Sequence, residues 1–363
     1  MGLFSSFSFA TNKRVGLSLL ATACFTAAAC SSAPEPSSSV AAKATVTEAA
    51  PFAIAIHGGA GTITRASMTP ARERAYREKL AEAIAAGQQI LAAGGTSMDA
   101  VIAAVQVLED SPLFNAGRGA VYTWDEQHEL DAAIMDGSNR AAGAVTGVTT
   151  IKSPIALARK VMEESVHVML SGAGAEEFAD LHQLERVDNS YFNTEARFDA
   201  LQRMKQQLGS QDKTAWQQLD ARFKYGTVGA VALDTHGNLA AATSTGGMTG
   251  KRYGRIGDSP VIGAGTWADN GSCAVSATGH GEYFIKYQVA ADICARVTYQ
   301  GKDIVSAGDA VIHEVLMPVG GTGGVIIVDG QGKVHMPFNT EGMYRASQQG
   351  DGPVHIAIYA DEN

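Results

Sequence analysis

Thr227 stands directly after Gly226, at the threshold of the run KYGTVGAVALD (residues 224–234). A Thr opening a strand is ordinarily a β-branched residue that suits a pleated sheet. Its hydroxyl becomes a nucleophile only beside a base, because the free hydroxyl is weak at neutral pH. No G-x-S-x-G turn elsewhere in the chain supplies such an arrangement. One base needs no second residue: if the Gly226–Thr227 bond is cut, the α-amine of Thr227, with a pKa of ~7.7–8.0 for a free terminal amine, can take the proton of its own hydroxyl. Gly226 lacks a side chain and so permits a strained path before the Thr.

Three further sets could complete such a site. The turn DTHGN (residues 234–238) folds the run back on AAATSTGGM, so that positions summing to about 473 face one another and Thr245 lies across from Val228. Thr245 could then donate to the nucleophile, or simply stabilise the sheet. In KRYGRIGDSP, Arg255 and Asp258 are three residues apart in a Gly-broken loop. Such a pair is often only a solvated ion pair, yet a guanidinium can clamp a carboxylate while a carboxylate holds an ammonium, as a free amino-acid backbone requires. In SATGHGEYF, Thr278 and Gly279 precede a helix, whose first N–H groups can stabilise developing negative charge.

The elements that must position these residues read clearly. PFAIAIHGGAG is a strand entering a Gly-rich turn; Thr69 and Pro70 open a helix that Gly94–Gly95 end; TSMDAVIAAVQVLEDSP is a second helix stopped by Pro112. ELDAAIMDG and AGAVTGVTTI read as strands, and Ser153–Pro154 and GAGAEEFADLHQL as helices. From residue 187 to 225 the chain turns polar and, with some room for helix, reads mainly as a surface linker where cleavage is tolerated. An internal repeat follows: residues 229–248 superpose on 324–343 at constant offset, both as hairpins with an Asp/Gly turn, and two helical segments lie between them. Strands and helices in blocks suit stacked sheets covered by helices.

The 363 residues, 45% hydrophobic with 40 glycines, can bury a large core, and a net charge of -9 without a basic patch argues against nucleic acid as a partner. Lys13 and Arg14 precede a short apolar run, so residues 1–29 are expected to be an export signal, with the Ser/Pro/Ala-rich residues 30–50 as a flexible tether. AAAC at Cys30 resembles a bacterial lipoprotein signal box with Ala27 in place of the usual Leu, implying a lipid anchor at Cys30; plain cleavage after Ala29 is the alternative. Either implies a periplasmic location, tethered to the membrane in the first case. Cys273 and Cys294 could pair or stay as buried thiols. No Cys or His spacing matches a zinc site, and GGMTGKR lacks the Ser or Thr after Lys251 that a phosphate loop needs.

Taken in order, IAIHGGAG, LFNAGRGAVYT, ELDAAIMDG, GTVGAVALD, AAATSTGGMTGK, GRIGDSPVIGAG, SATGHGE and PFNTEGMYRA resemble the plant-type L-asparaginase/isoaspartyl peptidase family of N-terminal-nucleophile hydrolases. The resemblance implies an α+β, four-layer αββα sandwich and a precursor that cuts itself between Gly226 and Thr227, giving an α subunit (51–226) and a β subunit (227–363) that associate as an (αβ)2 heterotetramer. It implies that Thr227 attacks the β-amide of an aspartyl unit, in isoaspartyl dipeptides or L-asparagine, through an acyl-enzyme. Thr245 then supports the nucleophile, Asn115 lies beside it, and Thr278 with Gly279 forms the oxyanion hole. Arg255 holds the substrate α-carboxylate and Asp258 its α-ammonium, within two binding stretches, Arg255, Ile256, Gly257 and Asp258, then Thr278, Gly279, His280 and Gly281. Catalysis needs no cofactor, but the main-chain oxygens of Leu108, Glu109, Ser111, Phe114, Ala116 and Arg118 correspond to the family's structural sodium loop. A glycosylasparaginase of the same fold is the near alternative; a non-catalytic exported binding module, which would remain one uncut chain, is the distant one.

Overall fold

Alternate residues of the strand Ala53–Gly61 enter two different interiors: Ile54 and Ile56 join one buried cluster, Ala53 and Ala55 another. This period of two is the basis of the layered architecture. A computed structural model describes residues 51–208 and 226–362, which belong to one compact unit. The export signal, the tether with Cys30, and residues 209–225 lie outside the described residues. Among those described, no helix is long and apolar enough to cross a membrane.

In chain order the strands are β1 (Ala53–Gly61), β2 (Leu130–Asp136), β3 (Ala142–Val148), β4 (Met169–Ser171), β5 (Val228–Leu233), β6 (Leu239–Thr245), β7 (Thr266–Ala268), β8 (Cys273–Gly279), β9 (Gly323–Asp329), β10 (Val334–His335), β11 (Gly342–Gln349) and β12 (His355–Tyr359). They form an eight-stranded sheet, β12-β11-β1-β5-β6-β2-β3-β4, and a four-stranded sheet, β10-β9-β8-β7. Helices α1 (Pro70–Ala92), α2 (Ser97–Glu109) and α3 (Pro154–Glu164) pack Leu80, Ile84, Val101, Val105, Leu157 and Val161 onto the outer face of the larger sheet. Between the sheets lie small and medium side chains, among them Ala55, Val231, Ala241, Ala274 and Ile326. The outer face of the smaller sheet is covered from Phe284, Ile293, Ile304 and Val311. Helix, sheet, sheet, helix is the four-layer α+β order expected.

The α1 start is as read: the Thr69 side chain accepts from the Arg72 N–H, with Pro70 in the first turn. Elsewhere the chain departs from expectation. The polar stretch after Val187 is not all linker, since α4 (Gly172–Leu181) is followed by α5 (Glu195–Leu208), which buries Leu201 and Met204. The helix expected after SATGHGE is two, α6 (Gly281–Tyr287) and α7 (Val289–Gln300), broken where Gln288 turns left-handed at φ 48°. After α8 (Ile304–Asp309) the helix continues in π geometry through Leu316. Cys273 on β8 and Cys294 on α7 are joined by a disulfide with their Cα atoms 5.5 Å apart, so the pair left open by the sequence is a bridge.

Candidate active site

Thr227 precedes β5 in the middle of the larger sheet, with β1 on one side and β6 on the other. The hairpin register is one residue tighter than anticipated: Val228 faces Ser244 and Leu233 faces Leu239, so the pairs sum to 472 and Thr245 falls opposite Thr227 itself. The cause is the turn, in which Asp234 Oδ1 accepts from the N–H groups of His236 (3.0 Å) and Asn238 (2.9 Å) and closes a loop of five residues.

Donors converge on the Gly226 carbonyl. The Thr227 hydroxyl reaches it at 2.7 Å, the Thr245 hydroxyl at 3.2 Å and the Asn115 amide at 2.8 Å. The two hydroxyls lie 3.2 Å apart. Each supporting group is itself held: Asn115 Oδ1 accepts from Val121 N (2.9 Å), its amide also donates to Gly247 O (2.7 Å), and Thr245 Oγ1 accepts from Gly247 N (3.0 Å). Gly226 has φ +144°, and a Cβ there would stand 2.7 Å from Asn115 Cβ. No larger residue fits that backbone without displacing the amide.

His57 was not among the sequence candidates. It is fully buried in β1, with Nδ1 3.2 Å from Thr227 O and Nε2 3.0 Å from Ser276 Oγ. The carbonyl can only accept, which puts the proton on Nδ1 and leaves Nε2 to accept from Ser276. Burial pushes its pKa down to about 3, although the Thr227 carbonyl opposes this, so the ring is neutral. From Ser276 the buried hydroxyls run to Thr243 (2.7 Å) and Thr266 (2.7 Å), and Thr266 also lies 3.0 Å from Ser259 O, beside Asp258. This chain spans the gap between the sheets and ties the backbone of Thr227 to the loop bearing the second candidate group. A signal was present in the sequence, a His inside an otherwise apolar strand.

Arg255, Asp258 and Gly281 come together. A Cβ on Gly281 would lie 2.7 Å from Asp258 Oδ1 and 2.9 Å from an Arg255 guanidinium nitrogen, so the Gly leaves room for both charges. Arg255 is gripped by Glu282 through two hydrogen bonds (3.0 and 3.1 Å), a partner the sequence reading missed although HGE carries it. Asp258 is buried, and its Oδ2 has no hydrogen-bond partner among the described residues. Burial pushes its pKa up to about 7, against the pull of Arg255. A buried carboxylate oxygen without a partner, beside a Gly-made space, could accept a cation. Gly257 is buried within the same loop, whereas Ile256 is 42% exposed.

Thr278 and Gly279 end β8, and the Thr278 hydroxyl accepts from Ala60 N at 3.4 Å. The neighbouring Gly59, at φ +111°, packs where a Cβ would be 3.2 Å from Gly226 Cα, so the Gly-rich end of β1 bridges Thr278 to Gly226. His280 follows, its N–H on Thr322 O (2.8 Å). Lys251 is buried beside Glu129 Oε2 (3.5 Å) and Asp131 (3.9 Å), facing no phosphate loop.

In the loop after α2, a Cβ on Gly117 would meet Glu109 O at 2.4 Å, and one on Gly119 would meet Phe114 O at 2.0 Å and Ser111 O at 2.9 Å. Main-chain carbonyls therefore crowd this turn. The Leu108 and Ala116 carbonyls also take part in it, accepting from Ser111 N (3.2 Å) and Gly119 N (3.1 Å), while the Arg118 side chain stands 5.9 Å over the Tyr191 ring. The Glu109 side chain turns away, accepting from Ser244 (2.6 Å), Ser153 (2.6 Å) and Ile155 N (3.1 Å).

Comparison with known proteins converges on one group. The family model described as Asparaginase matches residues 50–358. The isoaspartyl peptidase of Escherichia coli (strain K12) is 51% identical over 310 residues, covering 85% of this chain and 96% of that protein. The isoaspartyl peptidase/L-asparaginase of Homo sapiens is 40% identical over 312 residues, covering 86% and 97%, and that of Xenopus laevis 41% over 310 residues, covering 85% and 96%.

Proposed function

The chain belongs to the asparaginase family, and from that premise we propose that it is a self-processing threonine amidohydrolase that cleaves isoaspartyl dipeptides and L-asparagine to release L-aspartate. The observation that carries the reading is the convergence of the Thr227 and Thr245 hydroxyls and the Asn115 amide on the Gly226 carbonyl. In maturation Thr227 Oγ bonds to the Gly226 carbonyl carbon, the C–N bond breaks, and the hydroxyl proton ends on the Thr227 nitrogen. Water then hydrolyses the ester, leaving a carboxylate at Gly226 and a free amine at Thr227.

That amine is the base for the second reaction. It takes the hydroxyl proton as Oγ attacks the substrate's β-carbonyl and passes it to the departing nitrogen, and water then cleaves the β-aspartyl ester, releasing L-aspartate and restoring the Thr227 hydroxyl. Thr278 and Gly279 stabilise the oxyanion, Asp258 takes the α-ammonium, and Arg255 takes the α-carboxylate in competition with Glu282. Desolvation of Asp258 without a partner is relieved when an ammonium arrives, which favours a substrate carrying that charge.

Neutral main-chain oxygens suit a hard monovalent cation, so the carbonyls of Leu108, Glu109, Ser111, Phe114, Ala116 and Arg118 would hold a structural sodium that stiffens the loop bearing Asn115. Export is supported by the Cys273–Cys294 bridge, which persists in oxidising compartments; lipidation of Cys30 and an (αβ)2 assembly complete the proposal. The test is mass spectrometry with a product assay on wild type and Thr227→Ala. Two subunits meeting at Gly226/Thr227, and aspartate released from β-aspartyl peptides, are expected of wild type; a normally cut and active Thr227→Ala protein would falsify the reading.

A further inference from the structure

A cavity of ≈ 260 Å³ opens beside Gly226, lined by Gly59 and Gly226 at one end and by Arg72, Tyr76, Arg197 and Tyr344 elsewhere along its wall. Arg72 donates to the Tyr76 hydroxyl (3.4 Å), and the Tyr76 and Tyr344 rings stack with centroids 4.1 Å apart. Arg197 gives two of its N–H groups to carbonyls, Gly119 O (2.9 Å) and Leu113 O (3.4 Å), and a guanidinium has others left to donate. Among the described residues no carboxylate neutralises either guanidinium, and burial, with Arg72 adding to it, pushes the Arg197 pKa below its usual range. Several other arginines are paired with carboxylates: Arg77 with Glu73, Arg159 with Asp99, Arg186 with Glu176, Arg255 with Glu282. The Tyr76 hydroxyl is itself spent on Leu113 O (3.1 Å), so the two guanidinium groups are what make one space of this size a receptor for an organic anion.

Where the anion comes from follows from the chemistry, and this step rests on the proposed function. The departing nitrogen must receive its proton from the Thr227 amine, so it leaves beside that amine. Thr227 N lies 3.5 Å from where a Gly59 Cβ would be, and Gly59 lines the cavity. Once the chain is cut and Gly226 withdraws, the cavity is continuous with the space where the leaving group forms. Ammonia from asparagine would place nothing in it, whereas the second residue of a dipeptide carries a carboxylate on the carbon next to its nitrogen.

We propose that the Arg72/Arg197 cavity is a leaving-group subsite that recognises the free C-terminal carboxylate of an isoaspartyl dipeptide, so that the enzyme selects dipeptides over longer or C-terminally blocked β-aspartyl peptides. The bond changes are those of the acyl transfer above; the subsite adds no covalent step. It holds the leaving residue while the C–N bond breaks and the proton arrives.

The experiment compares kcat/KM for β-aspartyl-alanine and its C-terminal amide on matured protein. A charge-assisted pair of this kind predicts that wild type prefers the free acid by ~10-fold or more. Arg72→Gln combined with Arg197→Gln should bring the ratio near one, and Arg72→Lys alone should retain most of it. Should the double variant fail to fold, the wild-type ratio decides by itself. Equal cleavage of acid and amide by wild type, or an unchanged ratio in the double variant, overturns the subsite and leaves the proposed function standing. Matured protein that cleaves neither compound overturns both.

Discussion

The two halves of the internal repeat carry the same dipeptide to the same place and do different things with it. At the constant offset of the repeat, Gly226–Thr227 corresponds to Gly321–Thr322, and Gly229 to Gly324. The turns match bond for bond: Asp329 Oδ1 accepts from Gln331 N (2.9 Å) and Lys333 N (3.0 Å), as Asp234 does from His236 and Asn238. Both Gly carbonyls accept an Asn amide, Gly226 O from Asn115 at 2.8 Å and Gly321 O from Asn339 at 3.0 Å. The difference lies in where the Asn comes from. Asn339 occupies the repeat position of Ser244, so the second copy holds its Gly carbonyl from its own hairpin. The first copy borrows Asn115 from the loop after α2, and its own β6 delivers Thr245 instead, whose hydroxyl reaches Gly226 O while Thr340 donates to Gly342 O. Gly226 also sits at φ +144°, a conformation Gly321 does not share. A shared turn and a shared Gly-Thr step do not make the two copies alike; the copy we propose to react is the one in which foreign support frees its own strand for a second hydroxyl.

Substitutions made in parallel in the two copies can break this comparison. The largest effect is expected for Thr227→Ala, with loss of self-cleavage and of at least ~10³-fold in turnover, whereas Thr322→Ala should mature normally on a denaturing gel. A cleaved Thr227→Ala chain would make the two copies equivalent and end the argument. Next is Asn115→Ala, which removes a donor from the carbonyl under attack and should slow maturation by roughly 10²-fold, in the range of an oxyanion donor. Asn339→Ala should instead leave Gly323 N–H and the carbonyls of Ile312 and Gly321 short of a partner, lowering stability by about 1–3 kcal/mol in thermal unfolding without delaying the cut. If Asn339→Ala also stalled maturation, the separation of roles would be wrong. Gly226→Ala comes third: a Cβ 2.7 Å from Asn115 Cβ, on a backbone that L-residues avoid, should slow processing by about tenfold. In Gly321→Ala the nearest neighbour is the Leu316 side chain at 3.2 Å, so folded protein should still be cut, and pulse-chase maturation rates separate the two.

Much of this was legible before the structure. The Thr69–Pro70 cap, the period-two strands and the Asp/Gly turns dictate local geometry through single residues, and blocks of strands and helices pointed to stacked sheets. Thr227, Thr245, Asn115, Arg255 and Asp258 do gather as two clusters. What escaped depends on length or on contacts made across the fold. The expected register was one residue loose, although the ends of the five-residue turn, Asp234 and Asn238, already sum to 472. His57 meets Ser276 across 219 positions, and Glu282 meets Arg255 across 27, so the residues themselves stand out in the sequence but their partners do not. Helix α5 hides in a polar stretch because only Leu201 and Met204 of its face are fully buried, and the Cys273–Cys294 bridge needs β8 and α7 already packed.

The smallest effect concerns Ser244 itself, the residue that replaces Asn339 in the first copy. Its hydroxyl donates to Glu109 at 2.6 Å, and burial pushes the Glu109 carboxyl up to about 7 despite three hydrogen bonds that favour its charged form. Because the folded pKa lies above the unfolded one, the folded chain holds more protons between the two, and stability falls as pH rises through that window. The contribution is greatest below the ordinary carboxyl pKa of ~4.3 and is lost as pH climbs past about 7, with a slope of at most ~1.4 kcal/mol per pH unit. Glu109→Gln keeps the shape without the titration, so its unfolding temperature relative to wild type should improve between pH 5 and pH 8. The neutral Asn339 of the other copy brings no such slope, and Asn339→Ala should shift stability equally at both pH values. A Glu109→Gln protein that parallels wild type across that range would show that the two copies differ in their hydroxyls and their glycine alone, and not in the charge behind the strand.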